Sequence, residues 1–177
     1  MADSWLFEKL GREAVSGTRN TLVIFTSPEG QQEALSEPFI ARLNHNSIYF
    51  TLRTPAEKVD RPLGTENIVW VDASGAKPSP NPGFPLTRIP SAKNLVAISS
   101  VLGIMASAGN HSFMLVNPLN ALLEQNGQEK TAQFTSFLVN RLKNSNMGSL
   151  FFLLMADRET AKFALKISSF FDKVVKA

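Results

Sequence analysis

Apolar residues recur along this chain in two rhythms, short continuous runs and positions three or four apart, and the two alternate. The runs are TLVIFT (21–26), SIYFTL (47–52), IVWVD (68–72), FMLV (113–116) and LFFLLM (150–155). Short, uniformly apolar runs rich in β-branched and aromatic residues predict strands buried on both faces. Between them the spacing is helical. Trp5, Leu6, Phe7 and Leu10 predict a first helix, ended by Gly17, within an N-terminal helical segment 1–19. Ser36 as N-cap and Pro38 in the first turn open a helix that points Phe39, Ile40 and Leu43 inward. One or two helical turns fit 55–61. Ser91 is expected to cap a helix carrying Leu95, Ile98, Leu102 and Met105. A helix over 128–143 is expected to bury Phe134, Phe137, Leu138 and Leu142. The last helix begins near Asp157 and packs Phe163, Ile167, Phe170 and Phe171, and the VVK that follows suits a short edge strand.

One stretch breaks both rhythms. Residues 75–90, GAKPSPNPGFPLTRIP, hold five of the ten prolines and two glycines, which predicts a surface loop with neither a helix nor a central strand. Strands each followed by a helix belong to a parallel sheet covered on both sides. The expected fold is therefore a single α/β domain over 1–177: three layers, with a mostly parallel central sheet of five or six strands flanked by helices.

Composition narrows the chemistry. With 177 residues, 44% hydrophobic and 19% charged, the chain suits one globular domain. No cysteine is present, which removes disulfides and thiolate metal sites. Two histidines, His45 and His111, are too few and too far apart for a zinc motif, and both read as surface residues. Asp3 and Glu8 interrupt the opening residues as no secretory signal would, and the longest apolar run is too short to span a bilayer. A cytoplasmic setting without a membrane is the expectation. The net charge of +3 is mild and scattered. Its nearest approach to a patch, Arg158, Lys162 and Lys166, reads as a solvated helix face, so nucleic acid is not the expected partner.

In open parallel sheets, ligands lie beyond the carboxyl ends of the strands. Four loops matter: 27–32 after the first strand, 53–57 after the second, 117–120 after the fourth and 156–159 after the fifth. Candidate ligand-binding residues there are Ser27, Glu29, Gly30, Arg53, Asn117 and Asn120. Arg53 has two readings, an anion holder or an ion-pair partner of Glu29 or Glu57. Asn117 and Asn120 read as a turn followed by a helix cap, and Asp72 as a turn cap in preference to a lone ligand. No G-x-S-x-G and no G-x-G-x-x-G follows a strand, so neither a nucleophile elbow nor a dinucleotide fingerprint is present.

The segments TLVIFTSPEG, SIYFTLRTPAEKV, NIVWVDAS, FMLVNPLNALL and the block from QFTSFLVNRL to the end resemble the RecA/KaiC-like branch of the P-loop NTPases. The likeness is strongest to degenerate single-domain versions of archaeal type. It implies a Walker A loop at 27–32, a Walker B acid at 117 and a water-orienting acidic pair after the second strand. The chain departs from all three. Its first loop has one glycine, no lysine and an acidic Glu29 where phosphate would sit; Asn117 replaces the acid; Arg53 and Thr54 replace the pair. The resemblance with these losses implies a pseudo-ATPase: not an enzyme, with no catalytic residue, metal or cofactor, and with a protein partner or self-association in place of nucleotide. Weaker alternatives are a nucleotide or other small anion held at the sheet edge, and nucleic-acid binding.

Overall fold

A computed structural model describes residues 5–11, 17–33, 35–41, 43, 46–63, 65–77 and 79–177. The elements in chain order are α1 (Trp5–Leu10), β1 (Asn20–Phe25), α2 (Pro28–Glu33), α3 (Glu37–Ile40), β2 (Ser47–Thr51), a 3-10 turn (Ala56–Lys58), β3 (Val69–Asp72) and β4 (Leu86–Arg88). They continue as α4 (Leu95–Ser107), β5 (Phe113–Asn117), α5 (Leu119–Asn144), β6 (Gly148–Leu154), α6 (Arg158–Ser168) and β7 (Lys173–Lys176). Seven strands form one sheet in the order β4-β3-β2-β5-β6-β1-β7, and every pairing is parallel. The five apolar runs are all strands, and Lys173–Lys176 closes one edge beside β1 as expected. The count exceeds five or six because of β4.

Successive strand residues face opposite sides, which splits the core in two. Leu22, Ile24, Ile48, Phe50, Val71, Phe151 and Leu153 pack with Ile98, Leu102, Leu138, Leu142, Phe163 and Ile167 of α4, α5 and α6. Val23, Phe25, Tyr49, Trp70, Leu150 and Phe152 pack with Leu6, Leu10, Phe39 and Ile40 of α1 and α3. Helices thus cover both faces, and this arrangement requires the doubly apolar strands read from the sequence. Each fully buried Leu, Ile or Phe contributes about 1.5–3 kcal/mol relative to exposure.

The proline-rich stretch is mostly loop but holds one short strand. Leu86–Arg88 pairs with Trp70, Val71 and Asp72, and Ile89 donates its N–H to the Asp72 carbonyl at 2.8 Å. Three residues suffice because the strand lies at an edge, where Pro85 and Pro90 interrupt no ladder on the open side. Phe84 secures the entry: its ring meets Trp70 edge-on at 6.0 Å, and the Arg61 guanidinium lies 3.6 Å above it. Residues 75–77 and 79–83 stay largely exposed, as a surface loop should.

Other differences have local causes. Helix α1 closes at Gly11, whose φ of 80° suits a left-handed cap and whose N–H reaches the Phe7 carbonyl. It therefore stops before Gly17, and residues 12–16 lie outside the described residues. The Ser36 hydroxyl turns back to the Glu33 carbonyl, so it closes α2 and does not cap α3, although Phe39, Ile40 and Leu43 are buried as expected. Asn94, not Ser91, caps α4, its side chain accepting from the Ala97 N–H at 3.0 Å; the Ser91 hydroxyl accepts from Lys93 N–H one turn earlier. Helix α5 begins at Leu119 and breaks at Gly127 (φ 76°, ψ 171°). The Leu122 carbonyl, in the turn before that break, accepts from the Thr131 hydroxyl and the Asn126 side-chain amide. Phe137 stands 46% exposed at the edge of the α5 stripe that Phe134, Leu138 and Leu142 bury. Asp157 caps α6 through a reciprocal pair with Thr160, whose backbone N–H is the main reason its carboxyl is held below the usual range.

Candidate functional site

The sheet changes direction between β2 and β5. The chain leaves β2 toward β3 and β4, and leaves β5 the other way toward β6, which opens a crevice at the carboxyl edge where such folds bind ligands. Every candidate residue lies on this edge. They do not converge.

Ser27, Glu29 and Gly30 follow β1, where a phosphate-wrapping loop would stand. Only Thr26 and Ser27 separate β1 from α2, so the tight loop expected over 27–32 is itself helical. The Ser27 hydroxyl accepts from the Gly30 N–H at 3.3 Å, which consumes a first-turn donor. Glu29 stands in the first turn, exposed, its carboxylate next to the positive helix end. Gly30 is buried for a packing reason. A Cβ there would meet the Phe25 ring at 3.0 Å and the Trp5 ring at 3.5 Å, so the space is filled by aromatic side chains.

Arg53, after β2, pairs with Glu124 on α5 and with neither Glu29 nor Glu57. Asn117 ends β5 and faces the opposite side of the sheet. It is 4% exposed and donates to the Tyr49 hydroxyl at 3.2 Å, while its Oδ1 finds no partner among the described residues. Burial drives the Tyr49 hydroxyl's pKa upward against the lowering effect of that hydrogen bond, so the pair is neutral, with no metal-supporting charge. Asn120 does not cap α5. Its amide donates to the Leu154 carbonyl at 2.8 Å and its Oδ1 accepts from Leu154 N–H at 2.8 Å, stitching α5 to the end of β6.

The best-connected polar group on this edge centres on a residue the sequence flags only as a cap. Asp72 accepts from Ser74 N–H at 2.8 Å and Ala56 N–H at 2.9 Å, and Arg88 Nη1 lies 3.4 Å away. Arg88 also reaches Glu57 at 2.7 Å. The Asp72 turn-capping reading thus matches its hydrogen bonds, and Arg88 ties β4 to β3 and to the 3-10 turn. The missed signal is Leu-Thr-Arg-Ile, a short alternating segment hidden between prolines.

Two clefts flank this group. One, of about 180 Å³, is lined by Arg53, Ser74, Ser91, Ala121, Glu124 and Gln125. The other, of about 350 Å³, lies between Asp72, Lys77, Arg88 and the backbone of 75–76. Nucleotide-sized ligands need roughly 300–1,000 Å³ with convergent polar groups. The first cleft is too small, and in the second the charged groups are spent on one another apart from the exposed Lys77.

His111 is half-buried, and burial lowers its pKa against a raising contribution from the Asn46 backbone. His45 lies outside the described residues. Among the described residues no three His, Asp or Glu gather as a metal site, and no helix is long and apolar enough to cross a membrane. On α6, Arg158 and Lys162 are exposed and Lys166 pairs with Glu129, as a solvated helix face would. No family model and no curated protein matches this chain.

Proposed function

We propose that the chain is a non-catalytic RecA/KaiC-like domain, a pseudo-ATPase, that acts in the cytoplasm as a protein-interaction or regulatory module. The observation that carries this reading is the junction of β1 and α2. Where the resemblance calls for a glycine-rich loop whose amides converge on phosphate, the strand passes into a helix after two residues. That helix holds Gly30 against Phe25 and Trp5 and has Glu29 at its mouth. Two more losses agree with it. Asn117 brings no charge to the Walker B position and is engaged with Tyr49; Arg53 occupies the place of the acidic pair and is engaged with Glu124. Phosphate cradle, metal support and water orientation are independent requirements, and the lack of all three argues against hydrolysis more strongly than any one. The test is phosphate release from ATP and GTP with Mg²⁺. Background rates are expected, and a turnover abolished by substituting Arg53 or Asn117 would overturn the reading.

A second reading draws on the 180 Å³ cleft, in which Arg53, Ser74, Ser91 and Gln125 offer donors to a small anion. Glu124 already answers Arg53, so an anion there has to displace a carboxylate. Arg53→Ala should leave the protein folded and abolish any anion-dependent stabilisation if this reading holds.

A further inference from the structure

The larger cleft at the carboxyl edge, about 350 Å³, lies off the ends of β3 and β4, in the position where parallel sheets take ligands. Asp72 ends β3 and Arg88 ends β4. Both line the cleft, with Ile89 and Pro90 continuing from Arg88 and residues 75–77 completing the wall. Gly75 lets the chain turn there: its φ of 80° is left-handed, and a Cβ on it would lie 3.7 Å from the Pro90 carbonyl oxygen. The charges of this corner answer one another, with one exception. Arg88 is shared by Asp72 and Glu57, and Glu57 also acts on the Arg61 guanidinium, so two carboxylates face two guanidiniums. Lys77 is exposed and has no carboxylate partner among the described residues. Neither its N–H nor that of Gly75 makes a hydrogen bond among them.

We infer that this cleft binds a small organic monoanion, a carboxylate on a compact apolar body, with Lys77 as its charge partner. Size sets the first limit. Small-molecule sites span roughly 300–1,000 Å³ and are mostly apolar with a few placed polar groups. At about 350 Å³ the cleft sits at the low end, and Ala76, Ile89 and Pro90 supply apolar surface for the body of such a ligand. Charge sets the second limit. With the carboxylates and guanidiniums balanced, Lys77 leaves one positive charge, which a monoanion neutralises. A dianion such as phosphate would bring its second charge toward Asp72, a buried carboxylate in the same wall whose two oxygens already accept the Ser74 and Ala56 N–H groups. Donors set the third. A carboxylate takes several hydrogen bonds, and the N–H groups of Gly75 and Lys77 stand in the lining without partners among the described residues. A ligand held this way joins residues 75–77 to the end of β4, so its binding orders the start of the proline-rich loop.

The test is an amide NMR titration of the full chain with three probes, benzoate, its neutral analogue benzamide and inorganic phosphate, at constant pH and ionic strength. Benzoate has nine non-hydrogen atoms, and at about 0.5 kcal/mol for each its dissociation constant should be on the order of 1 mM. Saturable shifts are expected at the amides of 75–77 and Ile89, with slower hydrogen exchange at 76–77. Benzamide and phosphate should bind at least fivefold more weakly. Lys77 is exposed and ties nothing in the fold, so Lys77→Gln should stay folded and weaken benzoate about fivefold, the scale of one partly exposed ion pair. Lys77→Arg should restore binding, and Lys162→Gln on α6 should leave it unchanged. Absence of saturable benzoate shifts up to about 20 mM overturns the inference. So does binding that ignores Lys77→Gln, or phosphate binding as tightly as benzoate. None of these results bears on the non-catalytic reading, which falls only to measured turnover.

Discussion

Replacing Asp72 by Asn should destabilise the fold at the edge where β4 joins the sheet. The carboxylate is buried and uses both oxygens, Oδ1 on Ser74 N–H and Oδ2 on Ala56 N–H, with Arg88 beside Oδ2. An asparagine offers one acceptor and one donor. Whichever way it is turned, one backbone N–H meets an NH₂ group, and an unsatisfied buried donor costs about 1–3 kcal/mol. Arg88, whose side chain is 20% exposed, also loses one of two carboxylate partners, which adds about 1 kcal/mol after solvent screening. The total is roughly 2–4 kcal/mol. For a domain of this length 1 kcal/mol corresponds to about 2–4 °C, so the melting temperature should fall by about 4–16 °C. Circular dichroism melts and urea titrations measure this directly. Hydrogen exchange should show the loss concentrated at the Ile89 and Ala56 amides. A change below about 1 kcal/mol, or one spread evenly over the sheet, would refute Asp72 as the tie between β3, β4 and the 3-10 turn.

Four further outcomes are expected. Gly148→Ala should cost about 3 kcal/mol or more, because a Cβ there would lie 1.9 Å from the Gly17 carbonyl oxygen and a backbone atom cannot swing aside; a soluble variant of wild-type stability would contradict this packing. Asn117→Asp should fail to restore nucleotide hydrolysis and should destabilise by about 1–3 kcal/mol at neutral pH, since it places a carboxylate in a nearly fully buried site beside Tyr49; a gain of turnover would refute it. Asp172 should contribute to the acid limb of stability: burial works to raise its carboxyl pKa, but the Asn20 backbone N–H and Lys143 outweigh it and leave the value depressed. Its contribution is therefore present above the unfolded carboxylate pKa, about 3.9, and disappears as pH falls through the lower folded value, so Asp172→Asn should melt below wild type at neutral pH and alike near pH 2. In hydrogen exchange, the Ile89 amide should be protected while 76–77, 79 and 81 exchange fast, and uniform exchange across 75–90 would contradict the strand.

The strands were legible because burial on both faces forces them to be apolar throughout, and that pattern needs no partner to be seen. Leu86–Arg88 lacks it. Its stability comes from residues fourteen or more positions away, the Trp70–Asp72 backbone and the Asp72–Arg88–Glu57 ion pairs, while its prolines read as loop. Ser91 and Asn94 are both good caps three residues apart, and only the geometry of the following turn selects Asn94. The candidate residues could be assigned to the carboxyl edge because strand order along the chain fixes which loops lie there. Their partners could not be assigned. Arg53 meets Glu124 across the layer and Asn117 meets Tyr49 on the other face, because alternate strand positions point to opposite sides and sequence spacing does not say which neighbour stands there.

The central claim is that the end of β1 makes no nucleotide site, and the direct measurement is a thermal-shift titration of the full chain with Mg²⁺-ATP to millimolar concentration. A functioning site at a hundredfold excess over its dissociation constant would add about 2.7 kcal/mol, or roughly 5–11 °C. The packing of Gly30 on Phe25 and Trp5 predicts no shift beyond that produced by Mg²⁺ and inorganic phosphate alone. A saturable rise specific to ATP, lost when Gly30 is replaced by valine in a variant that stays folded, would contradict it.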